Sequence, residues 1–523
     1  MFSLSKKRYR FRVIILASPA INIYSFNARR TTALGPVCIA SVVNKMEGWD
    51  AEVIDENNLR IHGPRADSGG ADHEFLEYLR PADVAGFYGG LTSTIPRLYK
   101  IARFYRERGV ITVAGGQHFN KETAPEALSS GIDYVVIGEG EDTIKDMLAA
   151  LKEKRDMRGV NGIAYLDNGR IVFTGEREQI TDFDKLPLPD FSLVRYAKII
   201  VYPVERIRGC GMDCEFCTVK GRPRRASPER LLDSISFLVE TKNARKFFIV
   251  DDLFGQERDE TIRFCRMARD YQKRIQRRLS FGAQIRLDKA KDPELLLAMR
   301  EAGIDMVAIG FETPIEEELK TMNKRLRPGE IISLARTFHR FGFLVHGMFI
   351  FGYPSVSGEG FSMPAARRVR HFRNFIRESK VDTIQVMLPV PLPGTGLRER
   401  LKRTNRLYST NDLGWEYYDG CFPLFEPDSP LTAEEMQVSA WKIMNRFYQF
   451  KYMFLIAWNV FSFPGIIFFL HNIKCGWRRW YRPWRNHLVR FAGWVFLKQW
   501  TTAFSKSGFL RKLRRAKKQL TTA

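Results

Sequence analysis

Three cysteines fall within eight residues, in the order Cys210-Gly211-Met212-Asp213-Cys214-Glu215-Phe216-Cys217. Thiolates at this spacing share one loop, and each can hold a different iron of a four-iron cubane while the fourth iron stays open. An open iron can chelate an amino and a carboxylate group together, which a cluster capped by four cysteines cannot. The competing readings are a zinc site without a local fourth ligand, or three buried thiols with no metal. Cys38, Cys265, Cys421 and Cys475 stand alone, and seven cysteines in 523 residues are too few for a disulfide framework. The pattern suits one metal site in a reducing compartment.

Two further groups have the chemistry of binding sites. Asp251-Asp252 ends an apolar run, and Glu312 follows Gly310-Phe311. Their plain structural readings are a helix N-cap for the aspartates and an ion pair between Glu312 and Arg286. Upstream, Gly115-Gly116-Gln117-His118 and Gly138-Glu139-Gly140-Glu141 close two short apolar runs. Small residues there let backbone amides approach a large ligand, as glycine loops do for dinucleotides. Thr92 and Ser93 follow a similar Gly-Gly pair and can donate hydrogen bonds to the same ligand.

The elements that must position these residues are α/β throughout. From residue 11 to about 155, FRVIILASP, AEVID, DVAGFYGG, VITVAGG and DYVVIGEG read as buried strands separated by helical stretches such as IPRLYKIARFYRERG. This alternation, with glycines at strand carboxyl ends, predicts a doubly wound parallel sheet that binds ligands at those ends. GIAYLDNGRIVFTG reads as a hairpin and LPLPDF as a stiff connector. From 199 to 425 alternation resumes through KFFIVDD, LSFGAQIRLD, DMVAIGFET, LVHGMFIFGYP and TIQVMLPVPLPG, which predicts a full or partial TIM-type barrel. The cysteine loop follows the strand VYPVERIRG, so it belongs at the barrel's carboxyl end.

The cysteine motif resembles the radical S-adenosylmethionine (SAM) superfamily over residues 199 to about 397. That resemblance implies a [4Fe–4S] cluster on Cys210, Cys214 and Cys217, and SAM contacts from Phe216, Asp251, Asp252 and Glu312. Gly352-Tyr353-Pro354 and Pro393-Gly394-Thr395 resemble the family's barrel-end turns. The segment from Gly115 to Glu141 resembles the cobalamin-binding domains joined to such barrels, which implies cobalamin contacts from Thr92, Ser93, Gly115, Gly116, His118, Gly138, Glu139 and Gly140. The chain departs from the D-x-H-x-x-G pattern whose histidine ligates cobalt: the early loop, 18–27, has no histidine. Cobalt's lower face is therefore expected to lack a histidine ligand.

The last hundred residues differ in kind. They hold seven of the nine tryptophans, and beyond Glu435 there are 17 Lys and Arg but no acid, which leaves +7 of the +24 net charge on the first 435 residues. Residues 452–470 are uncharged, long enough to span a bilayer. The basic stretch behind them favours a run bent at Phe463-Pro464-Gly465 that returns to the same face, followed by an interfacial helix over 477–500. A buried hairpin with a solvated basic tail is the bland alternative. At the other terminus, the apolar run behind Lys6-Lys7-Arg8 is too short for a signal peptide and reads as a first strand.

The assembled reading is an α/β chain with four parts. A cobalamin-binding-like domain covers 1–155, a hairpin and linker 156–198, a radical SAM partial barrel 199–425, and a helical basic, aromatic membrane-associated region 426–523. The resemblance implies a methyltransferase loosely similar to the hopanoid methylases. It would use SAM, a 5′-deoxyadenosyl radical and methylcobalamin on an unactivated carbon of a lipid or other hydrophobic substrate. The expected partners are a low-potential electron donor and the inner face of the cytoplasmic membrane, with the enzyme cytoplasmic and attached peripherally or re-entrantly. Nucleic acid is not expected, because enzymes that methylthiolate tRNA carry a second cysteine trio in the first domain. The alternatives are a radical SAM lipid enzyme without methyl transfer (cyclisation, carbon–carbon coupling or oxidation) and a non-catalytic membrane-docking protein.

Overall fold

The computed structural model describes residues 8–19, 28–60, 63–67, 69–324, 326–356, 362–471 and 484–522. Most of the early loop 18–27, and the part of the expected interfacial helix before 484, lie outside the described residues.

The first body is one eight-stranded sheet. Strands β1 (Tyr9–Ile15), β2 (Trp49–Asp55), β3 (Val84–Tyr88), β4 (Ile111–Gly115) and β5 (Tyr134–Val136) are parallel; β6 (Ile163–Asp167) and β7 (Arg170–Phe173) form an antiparallel hairpin at one edge, and β8 (Val194–Arg195) pairs in parallel with β2 at the other. The order β7-β6-β5-β4-β3-β1-β2-β8 reverses between β1 and β3, the switch point at which open parallel sheets bind ligands. Buried Val13, Val53 and Val84 cover one face of the central strands, and Ile14, Ile54 and Phe87 the other. The segment read as hairpin and linker therefore supplies three strands to this sheet instead of lying between bodies. Ser41 Oγ accepts from the Asp190 amide at 2.8 Å and ties the connector back onto it.

The second body is a six-stranded parallel sheet, β9 (Tyr202–Val204), β12 (Lys246–Phe254), β13 (Ser280–Ile285), β14 (Ile304–Glu312), β15 (Leu344–Ile350) and β16 (Thr383–Met387), in that spatial order and not closed on itself. Of the two curves the sequence allowed, the partial barrel is the one formed. Along β15, Val345, Gly347 and Phe349 are buried, and Phe349 packs on Phe372 and Phe375 of helix Ala365–Ser379. The alternate residues His346, Met348 and Ile350 therefore turn inward, as strand periodicity requires. Helix Ala433–Phe447 closes over the same side, and the Tyr448 hydroxyl donates to the Ile384 carbonyl at 2.6 Å.

The uncharged run 452–470 forms two helices, Lys451–Phe461 and Phe463–His471, broken at an extended Ser462 with ψ of 149°. The break falls where Pro464 was expected to bend the chain. Among the described residues, no helix is long and apolar enough to cross a membrane. Helix Arg485–Lys506 packs beside the first of these helices, with Phe450 against Trp494 at 4.9 Å between ring centres. The final helix, Phe509–Thr522, buries Phe509, Leu513 and Ala516 against the body, with Lys512 paired to Glu416 and Lys517 to Glu434 at 2.7 Å each. Part of the basic tail is therefore docked onto the fold.

One backbone approach has a clear cost if disturbed. Gly116 has φ of +117°, and a Cβ there would lie 2.9 Å from the Gly89 carbonyl carbon. Gly116→Ala should destabilise the first body by about 1–3 kcal/mol, read as an earlier first transition in urea unfolding.

Candidate functional site

The cysteine loop is a hairpin loop with a pinched stem. Strand β10 (Ile207–Arg208) pairs antiparallel with β11 (Arg224–Arg225), and the loop between them carries all three thiols. Gly209 closes the stem with φ of +85°, where a Cβ would press to 2.7 Å from the Arg222 carbonyl oxygen. Within the loop, the Cys217 amide donates to the Cys214 carbonyl at 3.2 Å, and the Val219 amide to Cys217 Sγ at 3.4 Å.

Neighbouring strands supply the remaining order. Asp251 Oδ1 accepts from the Arg206 and Ile207 amides at 2.6 and 3.0 Å, and Asp252 Oδ2 from the Gly209 amide at 2.7 Å. Both aspartates lie inside β12, so neither is a helix N-cap. Burial pushes the Asp251 carboxyl up to about 7 against those two amides. On the other side, Glu215 is gripped by Arg400 through two hydrogen bonds of 2.5 and 2.8 Å and accepts from the Tyr353 hydroxyl at 2.6 Å. Arg400 also donates to the Ser355 and Pro354 carbonyls, at 2.7 and 3.1 Å. Phe216 rests edge-on to the Tyr353 ring, 6.0 Å between centres.

Glu312 ends β14 in the left-handed region, φ +59°, a strained conformation for a side-chain-bearing residue. It does not pair with Arg286. Its Oε1 lies 2.8 Å from Lys324 Nζ, whereas Arg286 pairs with Asp288 at 3.0 Å and donates to Met212 Sδ at 3.0 Å. Burial opposes the charge on Lys324, but Glu312 and Cys214 outweigh it and hold its pKa up. Asn323 donates to the Asp213 carbonyl at 3.2 Å, so the turn after helix Glu316–Thr321, which follows β14, rests on the cysteine loop. Sequence reading missed Lys324, Glu215 and Arg400. Glu215 stands inside the motif, but nothing local marks the other two.

Among the described residues, no three His, Cys, Asp or Glu side chains converge on a single ion. A cubane makes no such demand, since each thiolate binds a different iron. The donor set, three thiols on one strapped loop, fits a [4Fe–4S] cluster better than zinc. Burial raises the Cys214 and Cys217 thiols, and Lys324 draws Cys214 back down.

The glycine-ended strands of the first sheet meet this end of the barrel. Glu139 accepts two hydrogen bonds from Arg224, both 2.8 Å, and a third from the Ile180 amide at 2.8 Å. Arg208, at the stem of the cysteine loop, bridges Glu141 and Glu205 at 2.7 Å each. Further along, Glu122 pairs with Arg398 at 2.9 Å and with Lys402, and Trp415 Nε1 donates to Glu126 at 2.9 Å. Glu139 is thus a seam residue as well as part of the expected ligand loop.

Among the described residues, the strand-end floor is open at Gly138. A Cβ at Gly138 would meet nothing within 4 Å, and Gly116 allows the β3 and β4 loops to touch. Thr92 and Ser93 are buried beside them. That edge fits a large flat ligand. His118 is enclosed: its Nδ1 meets Thr92 Oγ1 at 3.3 Å, Nε2 has no partner, and Trp415 and Phe119 cover the ring edge-on at 4.9 and 5.2 Å. Burial, then Arg398, hold its pKa down at about 3, so it is neutral.

Comparison with known proteins agrees with this geometry. The Radical SAM superfamily model matches residues 204–362 and the B12 binding domain model residues 29–148. The chain belongs to the cobalamin-binding radical SAM enzymes. Its cofactors are accordingly a [4Fe–4S] cluster, SAM and cobalamin. It is 28% identical over 357 residues to an uncharacterized methyltransferase of Pyrococcus horikoshii, covering 64% of this chain and 73% of that one. It is 28% identical to the hopanoid C-2 methylase of Rhodopseudomonas palustris, over 53% of this chain and half of that protein. It is 25% identical to the anaerobic magnesium-protoporphyrin IX monomethyl ester cyclase of Rubrivivax gelatinosus, over 65% and 62% of the two chains. The cobalamin-dependent radical SAM enzyme OxsB with aqua-cobalamin bound shares the fold, at a TM-score of 0.61 and 15% identity over 99% of this chain and 84% of that one.

Cys210→Ala, Cys214→Ala or Cys217→Ala should each abolish cleavage of SAM to 5′-deoxyadenosine and lose most of the iron of the anaerobically reconstituted protein. Cys38→Ala and Cys265→Ala should do neither, with iron assay and chromatography of the nucleoside as readouts.

Proposed function

We propose that the enzyme transfers a methyl group to an unactivated carbon of a lipid or other hydrophobic substrate at the inner face of the cytoplasmic membrane. The observation that carries this reading is the seam. Arg208 and Arg224, which flank the cysteine loop, are held by Glu139 and Glu141 on the loop beyond β5. The carboxyl ends of the two sheets therefore face one another, as a radical generator and a methyl carrier must. When bound, the cluster and SAM supply a carbon-centred radical, and cobalamin supplies the methyl group.

The protein's own residues position and enclose. Glu312, fixed by Lys324, offers a carboxylate near the thiols to the polar groups of SAM, and Phe216 offers an aromatic edge to its adenine. Asp251 and Asp252 act on the loop backbone, so we assign them to holding Cys210 in place. At the strand-end floor, Gly138 leaves room for a corrin, Gly116 lets the β3 and β4 loops close up beside it, and Gly115, Gly140, Thr92, Ser93 and Glu139 border it. His118 is walled off by Trp415 and Phe119, so we do not assign it as a cobalt ligand. Half-buried Phe248, Met306, Met348 and Met387 line the barrel interior with His346 and Gln385, an apolar surface suited to a hydrophobic substrate. A low-potential donor must deliver the electron.

The membrane reading is supported by the two-helix run. Phe454, Trp458 and Phe461 are 62, 70 and 77% exposed, and helix Lys451–Phe461 buries none of its residues. A second reading, cyclisation without methyl transfer, draws support from the likeness to the magnesium-protoporphyrin cyclase.

Anaerobic expression with cobalamin should give a protein holding one cobalamin per chain, and lipids of the producing strain should include a species heavier by one CH2 than in a deletion strain. Loss of hydrogen with no added carbon would favour the cyclisation reading. In membrane fractions, high salt should leave the protein bound and detergent should release it. Attraction at about 1 kcal/mol per surface Lys or Arg is screened by salt, whereas apolar burial is not. Release by salt alone would remove the apolar component.

A further inference from the structure

At the opposite end of the barrel, a cavity of about 730 Å³ opens between helices Ala365–Ser379 and Ala433–Phe447 and the start of helix Arg485–Lys506. Its wall includes His339, Val381 and Asp382, which precede β15 and β16 at the amino ends of those strands. The cysteine loop lies at the carboxyl ends. Seven-residue β15 alone separates the two by about 23 Å. The cavity is not part of the reaction site.

Its charge is one-sided. Arg370, Arg373 and Arg377 follow one face of helix Ala365–Ser379, Lys380 caps it, and Arg446 and Arg490 reach in from the other two helices. Among the described residues, Asp382 is the one carboxylate in the wall, and its oxygens are engaged by the Val345 amide at 2.8 Å and the Asn486 amide group at 2.6 Å. The hydrogen bonds of Arg373, Arg377 and Arg490 go to neutral oxygens: the Lys442 carbonyl, Asn374 Oδ1, and the Tyr452 hydroxyl with the Val381 carbonyl. Arg490 Nε is buried without an acceptor. Cations at a helix carboxyl end complement its dipole, which accounts for Arg377 and Lys380. It also accounts for Arg446, in the last turn of helix Ala433–Phe447, but not for Arg373 at mid-helix or Arg490 near the amino end of its helix, and together these cations bring like charge to the same hollow from three helices, a repulsion that a bound anion would relieve.

We propose that this cavity binds the phosphate of an anionic phospholipid headgroup, an inference that rests on the membrane reading above. Guanidinium forks match phosphate oxygens two at a time, and the volume suits a headgroup. The neighbouring surface chooses the source. Tyr452 lines the cavity and also begins the helix that exposes Phe454, Trp458 and Phe461. A phosphate held here would leave its acyl chains along that apolar run, whereas a soluble phosphate or an RNA backbone would leave the run uncovered.

The test uses the full-length holoenzyme and flotation with two kinds of vesicle, phosphatidylcholine alone and phosphatidylcholine with phosphatidylglycerol at about three to one. The wild type should prefer the anionic vesicles. The double variant Arg373→Gln/Arg446→Gln should bind them about thirtyfold more weakly, with binding to neutral vesicles and cleavage of SAM unchanged. Arg373→Lys/Arg446→Lys, which preserves charge and protects against a folding artefact, should lose less. Phe454→Ser/Trp458→Ser should weaken both vesicle types alike. Equal affinity of the wild type and the Gln double variant for anionic vesicles overturns the proposal even if the membrane reading stands. Wild type that floats with neither vesicle overturns the membrane reading itself. Calorimetric binding of inorganic phosphate without vesicle preference, or retention of the wild type on single-stranded RNA in place of vesicles, also overturns the headgroup assignment.

Discussion

The arrangement depends on the group of buried charges where the two sheets meet. Arg208 and Arg224 leave the base of the cysteine loop and enter a pocket of acids, Glu139, Glu141 and Glu205. Burial works against the charge on Arg208, and Glu205 and Glu141 outweigh it. Desolvation consumes most of the attraction in such pairs, while stranding one partner costs about 3–5 kcal/mol. Their effect is therefore on geometry. Any other docking of the two bodies would strand several charges, so the carboxyl ends of both sheets are held in register with the loop that carries the thiols.

The cysteine loop makes few bonds to itself, and its shape is imposed from outside. Asp251 and Asp252 hold the backbone leading into it, Glu215 is gripped by Arg400 and Tyr353, and Asn323 rests on its outer turn. A loop strapped at three places can accept a cluster without first paying the full entropy of ordering itself. The strained Glu312 fits the same pattern: its carboxylate stays beside the thiols because Lys324 holds it there.

The carboxyl-terminal region divides by physics rather than by composition. Its last helix is basic yet docked, because Phe509, Leu513 and Ala516 supply an apolar stripe and Glu416 and Glu434 answer two of its lysines. Helix Lys451–Phe461 is apolar yet exposed: it packs on helix Arg485–Lys506 and buries none of its residues. The charge of the tail therefore overstates how much of it is free at the surface, and the exposed apolar area is concentrated on Phe454, Trp458 and Phe461.

By itself, the sequence determined what depends on neighbours along the chain: the three thiols on one loop, the alternation of strands and helices, the glycines at strand ends and the break near Pro464. Each is set by local covalent spacing or backbone sterics, so each is legible without a fold. Tertiary structure alone decided the partners. Glu139 meets Arg224 across 85 residues and Glu215 meets Arg400 across 185. Glu312 takes Lys324 and leaves Arg286 to Asp288 because the left-handed end of β14 turns its carboxylate toward the following loop. His118, expected at the ligand loop, is enclosed because Trp415, almost three hundred residues further on, folds over it. Charge pairing acts through space at a few ångströms, and only the packed sheets determine which residues come that close.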